Sequence, residues 1–363
     1  MSTASVTTTG TPTGTMTGVF LPGDSTAVLR EVPVPTPGPG QVLVEVGASG
    51  ICGSDIGFIY RKHIGHSGGA YRGVVAGHEP AGRIVAAGPG CRRFGADDRV
   101  IVYHIAGCGL CDNCRRGYHI SCTEPARAAY GWQRDGGHAR YLLAEEASCV
   151  ALPDELSSVD GALIACGFGT AYEGLRRIGV NSEGDLLVVG LGPVGLAAGM
   201  VGRGMGARRV LGVEPSAARR AWADSLGVFD ATVPADGRPA EVAAAVADTL
   251  RAPGAATTID CSGSTAGRST AIIAAAEWGR VSLVGEGGTL ETEVSDTLLH
   301  KQLTLYASWV TSLSTMGELA RALVRWRLRP EAVVSDRFPL DEADAAYALA
   351  AGASRGKVCL VPA

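Results

Sequence analysis

Lysine is nearly missing: Lys62, Lys301 and Lys357 are the only three in 363 residues, against 29 arginines. That imbalance fits a G/C-rich genome, where arginine codons prevail, and says little about chemistry. Charged residues of both signs make up only 19% and the net charge is −4. There is therefore no broad basic field of the kind that holds nucleic acid. No run reaches the roughly 18–20 uninterrupted apolar residues of a membrane helix. The stretch from Met1 to Met16 is rich in Thr, Ser and Gly and lacks the charged-then-apolar order of a secretory signal. Residues 1–17 are expected to form a disordered leader, and the chain is expected in the cytoplasm, where thiols stay reduced.

Apolar residues are not among the shortages. At 46% they exclude a disordered chain and supply a real core. Glycine is in excess, 51 residues or about 14% against a typical ~7%, but follows no three-residue period, which excludes collagen. The excess points to tight turns and close backbone approaches. Ten cysteines in a reducing compartment call for an explanation other than disulfides.

The chain changes texture partway. Short apolar–polar alternations around Pro33, Pro35, Pro37 and Pro39, and in Val74–Ala87, Arg99–His104 and Ala139–Leu143, read as strands of an irregular β-rich unit. Later, strand-like runs at Asp185–Gly190, Arg209–Val213, Thr257–Asp260 and Arg280–Val284 alternate with helical stretches at Pro193–Met205, Ala217–Leu226 and Glu241–Leu250. Such alternation predicts a doubly wound parallel sheet, an α/β fold. Beyond Val310 a helix over Gly317–Trp326 and an extended tail over Gly356–Val361 are expected.

Three constellations carry chemistry. Gly190-Leu-Gly192-Pro193-Val194-Gly195 is a G-x-G-x-x-G loop between a predicted strand and helix, with Glu214 ending the next strand. The glycines permit the turn, the approach of a pyrophosphate and close helix packing, and the helix start attracts phosphate. An acidic side chain at Glu214 can accept both adenosine ribose hydroxyls and would repel a 2′-phosphate, favouring NAD; Arg219 and Arg220 nearby weaken that preference.

Cys108, Cys111, Cys114 and Cys122 lie within fifteen residues, a spacing that can close a tetrahedron around a structural Zn²⁺. Reactive thiols, disulfides and an iron–sulfur cluster are the competing readings. Cys52, His78 and Cys166 are dispersed, yet two thiolates and an imidazole can hold a second zinc with an open position, able to polarise an alcohol oxygen. Taken singly, His78 also reads as a hydrogen-bonded core histidine and Cys166 as a small buried residue.

Cys52-Gly-Ser54-Asp55, the Gly-His-Glu-x-x-Gly run at 77–82, the four-cysteine lobe, Asp135-Gly-Gly137, Cys166-Gly-Phe-Gly-Thr170, the 188–195 loop and Gly356-Lys357 share one order with a known family. In these motifs the chain resembles the zinc-dependent medium-chain alcohol dehydrogenases from about Gly18 onward. The resemblance implies a GroES-like catalytic domain over 18–167 and 310–363, with its structural zinc lobe at 107–123, and a Rossmann NAD-binding domain over 168–309. It implies Cys52, His78 and Cys166 as catalytic zinc ligands and Glu79 as a neighbour able to coordinate transiently. Asp55 would orient His78, and Ser54 would begin a proton relay. Thr170 and Phe168 would lie under the nicotinamide. A homodimer or homotetramer pairing through Rossmann sheet edges is also implied.

Two departures matter. Gly57 stands where several relatives carry a relay histidine, with His63 and His66 as candidate substitutes. Gly53 stands where some place an arginine on the pyrophosphate, leaving that task to backbone amides and Lys357. Tyr60, His63, His66 and Trp132 are candidate substrate residues. The run Lys301–Thr311 resembles polyol and sugar dehydrogenases. The expected activity is hydride transfer between NAD and a secondary alcohol, a polyol, sugar or cyclitol, with two zinc ions per chain. An amino alcohol or threonine-like substrate on the same fold, or a non-catalytic NAD(H) sensor or scaffold, are the alternatives.

Overall fold

Leu186–Val189 is apolar throughout, so it can only be satisfied with both faces covered, and the neighbouring run Ala255–Asp260 is buried at five of its six positions. The computed structural model describes residues 12–64, 70–352 and 354–362, and it buries these runs at the centre of a six-stranded parallel sheet. The spatial order is Ala231–Pro234, Val210–Glu214, Leu186–Val189, Ala255–Asp260, Ala275–Leu283 and Thr304–Ala307. The order reverses between Leu186–Val189 and Ala255–Asp260. Ligands in open α/β sheets bind at such a reversal, beyond the carboxyl ends of the strands.

The second sheet has seven strands in the order Val334–Phe338, Lys357–Leu360, Gln41–Gly50, Glu79–Ala87, Arg99–Val102 and Cys149–Ala151, with Tyr141–Glu145 also paired to Gln41–Gly50. The chain's last strand joins its early ones through Cys359 opposite Gly50. Residues 334–360 therefore pack with the N-terminal sheet. The strand Thr15–Phe20 pairs with Val28–Pro33 and begins inside the stretch 1–17 expected as a leader; residues 1–11 lie outside the described residues. Met16, at 8% exposed, reaches a small apolar cluster with Val75 and Ala139, and that burial fixes the strand.

A helical run joins the sheets. Ser157 caps Ser158–Leu163 reciprocally with Asp160, a π-helical turn follows at Ile164–Phe168, and an α-helix continues over Gly169–Arg177. Ile101, Leu163 and Phe168 on one side and Leu175, Val188 and Leu196 on the other share one buried cluster. Each such side chain contributes roughly 1.5–3 kcal/mol by leaving water. The floor of the cleft between the sheets is thus part of the core. The helix expected from Gly317 starts a turn earlier, at Leu313, because the Ser312 hydroxyl accepts the Thr315 N–H at 3.1 Å.

Candidate active site and metal centres

Cys52 precedes the short helical turn Gly53–Asp55, His78 immediately precedes the strand Glu79–Ala87, and Cys166 sits in the π-helical turn. These distant elements bring one donor atom each from Cys52, His78, Glu79 and Cys166 within 4.8 Å of one another. A single carboxylate sets two of them. Asp55 Oδ2 accepts the Cys52 N–H at 2.9 Å, while Oδ1 accepts His78 Nδ1–H at 2.8 Å. With Nδ1 as donor, Nε2 keeps its lone pair for a metal. Gly77 has φ +90°, and a side chain there would run into the His138 ring.

Electrostatics mark the quartet as a cation site. The facing Cys166 thiol holds the Cys52 thiol well below the usual range, and Cys52 in turn holds the Cys166 thiol well above it. Burial alone would lower His78, yet the Asp55 carboxylate and Cys52 raise it well above an ordinary imidazole. Burial lifts Glu79 to about 7 against the pull of Lys357. Both Glu79 oxygens are buried without a well-directed hydrogen bond. Two thiols, an imidazole and an underserved carboxylate are a donor set that suits Zn²⁺.

Lys357 corrects an expectation. It is 4% exposed and stands 2.5 Å from Glu79 Oε2, an ion pair without hydrogen-bond angles, so it serves the quartet rather than a pyrophosphate. Gly50 makes room for the pair: a Cβ there would meet the Glu79 carboxylate and, at 2.8 Å, Lys357 Cε.

The second cluster is local. Cys108, Cys111, Cys114 and Cys122 also hold their sulfurs within 4.8 Å. Backbone amides serve them: Cys108 Sγ accepts from Leu110 and Cys111, at 3.4 and 3.3 Å, and Cys122 Sγ from Cys108 at 3.4 Å. Gly109, at φ +73°, turns the chain between the first two sulfurs. No disulfide joins any of the ten cysteines. Such amide-supported four-thiol knuckles fit a closed zinc site.

At the glycine loop, Gly190 has φ +88° and a Cβ on Gly195 would strike the Gly190 carbonyl. Gly192 caps the helix Pro193–Gly204, with Pro193 at its first position. Glu214 ties the loop to the neighbouring strand end: Oε2 accepts Leu191 N–H at 2.9 Å and Oε1 accepts Ser216 N–H at 3.0 Å. Arg220 is engaged with the Glu214 and Pro215 carbonyls.

A cavity of about 440 Å³ joins these parts, lined by Cys52, Ser54, His78 and Cys166 together with Thr170, Val194, Ser262 and Gly285. Phe168, expected beside Thr170, is instead 1% exposed in the core. Trp132 lines the cavity, whereas Tyr60 and His63 do not. The helical turn after Ser54 presents Gly57 and Phe58 to the cleft and rotates Tyr60 inward, where it stacks on Tyr347 at 5.2 Å. His63 Nε2 donates to the Leu21 carbonyl at 2.8 Å and its ring packs on Tyr71. His66 lies outside the described residues.

Sequence reasoning missed Phe58, His104, Arg127, Gln133, Cys261 and Glu286 in the cleft wall. The His104 ring is 5.7 Å from that of His78, and burial, followed by the neighbouring His78, pushes it down to about 3, so it is neutral. Trp309, in the run already singled out, donates to Glu286 Oε1 at 2.9 Å. The one available signal was position: His104 follows the strand Arg99–Val102 and precedes the cysteine lobe, between the two metal clusters.

A doubly wound domain, a β-rich domain and an open thiol–imidazole quartet in the cleft between them define a zinc-binding dehydrogenase. Residues 38–154 match the alcohol dehydrogenase GroES-like domain and residues 193–325 match the zinc-binding dehydrogenase family. The chain is 51% identical over 354 residues to the uncharacterized zinc-type alcohol dehydrogenase-like protein YphC of Escherichia coli K12, covering 95% of this chain and 98% of that one. It is 31% identical to an L-threonine 3-dehydrogenase of Symbiobacterium thermophilum, covering 93% and 94% of the two chains. It is 29% identical to a sorbitol dehydrogenase of Halalkalibacterium halodurans, covering 92% and 95%. The chain belongs to the zinc-type, medium-chain alcohol dehydrogenase family.

Proposed function

We propose that this protein oxidises a secondary alcohol of a hydroxyl-rich substrate, a polyol, sugar or cyclitol, to the ketone with NAD as acceptor. The observation that carries the reading is the Cys52–His78–Cys166 trio opening into a cavity that is also lined by Thr170 and by Val194 of the glycine loop. Zinc held by that trio would supply Lewis acidity to the substrate hydroxyl, and NAD the hydride acceptor. Asp55 keeps His78 in the tautomer that presents Nε2. Ser54 lines the cavity next to Cys52 and is the hydroxyl that takes the alcohol proton toward solvent. Neutral His104 forms polar wall without adding charge. Glu214 at the end of its strand supports NAD over NADP, since a 2′-phosphate would meet a carboxylate.

An amino alcohol or threonine-like substrate is the second reading, favoured by the threonine dehydrogenase relative. A non-catalytic sensor is disfavoured by the complete ligand set and Ser54. Among the described residues no helix is long and apolar enough to cross a membrane, and we place the protein in the cytoplasm. The outer strand Thr304–Ala307 has a free edge in its sheet, near Trp278 at 69% and Leu299 at 63% exposed. We assign this edge to pairing in a homodimer or homotetramer. A panel of polyols, sugars, cyclitols and amino alcohols, followed by NADH absorbance with NAD and NADP offered separately, tests the activity. Turnover of polyols with NAD supports the reading, and turnover confined to amino alcohols transfers it to the second.

A further inference from the structure

Arg127 is the only guanidinium or ammonium among the described cleft-lining residues. It is half-buried, and its one hydrogen bond is from Nε to the Ile120 carbonyl at 3.0 Å, which fixes the stem and leaves the Nη fork uncommitted among the described residues. Two other buried or half-buried cations near the cleft each have an acid: Lys357 has Glu79, and Arg268 has Asp260. No carboxylate stands within ion-pair distance of Arg127 among the described residues. Burial holds its pKa below the usual arginine range, with only Tyr103 and Cys122 opposing. A guanidinium withdrawn from water without an acid partner carries a standing desolvation cost that an anion would offset. Its field also reaches His104, beside His78 on the cavity wall.

We propose that Arg127 receives a carboxylate on the substrate, so that the cleft takes a polyhydroxy acid with its reacting hydroxyl at the Cys52–His78–Cys166 floor. This rests on the hydroxyl-rich alcohol reading above and narrows it. A planar fork pairs bidentately with a carboxylate. One positive charge, with the Glu286 carboxylate also on the wall, matches a monoanion better than a phosphate dianion. The competing role for Arg127 is to buttress the cysteine lobe through Ile120 and Cys122.

The test pairs neutral alditols with aldonates of the same configuration, sorbitol with gluconate among them, and adds L-threonine as a carboxylate that also carries an ammonium. The aldonate of a pair is expected to show the higher kcat/KM. Arg127→Gln should lower aldonate kcat/KM by about 30-fold to 100-fold, mainly through KM, and alditol kcat/KM far less. Arg127→Lys should restore part of the loss. An equal fall for both classes, or zinc lost from the lobe, assigns Arg127 to buttressing and overturns the proposal. Alditols oxidised while aldonates neither react nor bind overturns it too, and leaves the polyol reading standing. If neither class is oxidised, that reading fails and titration of the NADH-loaded enzyme decides. Quenching of tryptophan fluorescence by gluconate but not sorbitol, abolished in Arg127→Gln, supports the anion site, and no such quenching overturns it.

Discussion

The two metal clusters of this chain use the same donor, cysteine sulfur, to different ends. In the lobe, four thiols come from fifteen consecutive residues and their remaining electrostatic needs are met by local backbone amides. In the cleft, donors from residues 52, 78, 79 and 166 meet through three separate elements, and their orientation is set by Asp55 and Lys357, themselves buried. The lobe closes on itself. The cleft cluster faces a cavity and includes a carboxylate that its surroundings only partly satisfy. Closure suits a site that holds structure, and an open face with adjustable electrostatics suits one that handles substrate.

Cys52→Ser separates the two most sharply. It should remove zinc from the cleft alone, lowering the zinc content from two equivalents to one. NADH production should fall by ~10³-fold or more, because several kcal/mol of Lewis-acid stabilisation is lost. The thermal midpoint should move little. Intact NADH production with the best polyol would sink zinc-assisted hydride transfer and with it the contrast. Cys114→Ser is the mirror experiment. Cys114 is 5% exposed within the lobe, and losing that ligand should cost about 3 kcal/mol of stability, read as a lower thermal midpoint. Wild-type stability in that variant would show that the lobe needs no metal.

Asp55→Asn probes the support rather than the ligands. Its amide cannot hold both the Cys52 N–H and the His78 Nδ1–H as an anion does, so zinc affinity and kcat/KM should fall roughly 10–100-fold. Competition with a chromophoric chelator reads the affinity. Unchanged affinity would mean that His78 is oriented by packing alone.

The same contrast decides which features are legible in the amino-acid sequence alone. Cys108 to Cys122 announce themselves because the spacing itself brings the sulfurs together. The strands at Leu186–Val189 and Val210–Glu214 are equally plain, since a run buried on both faces has no other use. Cys52, His78 and Cys166 were recognisable only through ordered resemblance, because no local rule joins residues that far apart. Lys357 was misplaced for the same reason: its partner Glu79 is 278 positions away and meets it only once the last strand pairs beside Gly50. Tyr60 and His63 were polar residues near the right motif, but the helical phase after Ser54 decided which side faced the cleft. Arg127, Gln133 and Glu286 had no pattern to betray them, because a cleft wall is assembled from loops of both domains.

Asp185, at the foot of the strand Leu186–Val189, provides a small effect that should follow neither cluster. Its carboxylate is 2% exposed and accepts paired hydrogen bonds from Arg208 and Arg209, two of them at 2.7 Å. Burial alone would raise its pKa, but the two arginines overcome that and hold it at about 2, below the 3.8 of a free side chain. A depressed folded-state value means stabilisation that is present above 3.8 and fades as pH falls through about 2. Because both guanidinium groups remain partly in water, 55% and 35% exposed, the contribution is about 1 kcal/mol rather than the full linkage value. Denaturant unfolding of wild type and Asp185→Asn should therefore differ by that amount at pH 5 and converge toward pH 2. The zinc content at neutral pH should be equal in both proteins. A difference that persists unchanged at pH 2 would assign it to packing rather than charge, and altered zinc content would couple the foot of this central strand to the metal sites after all.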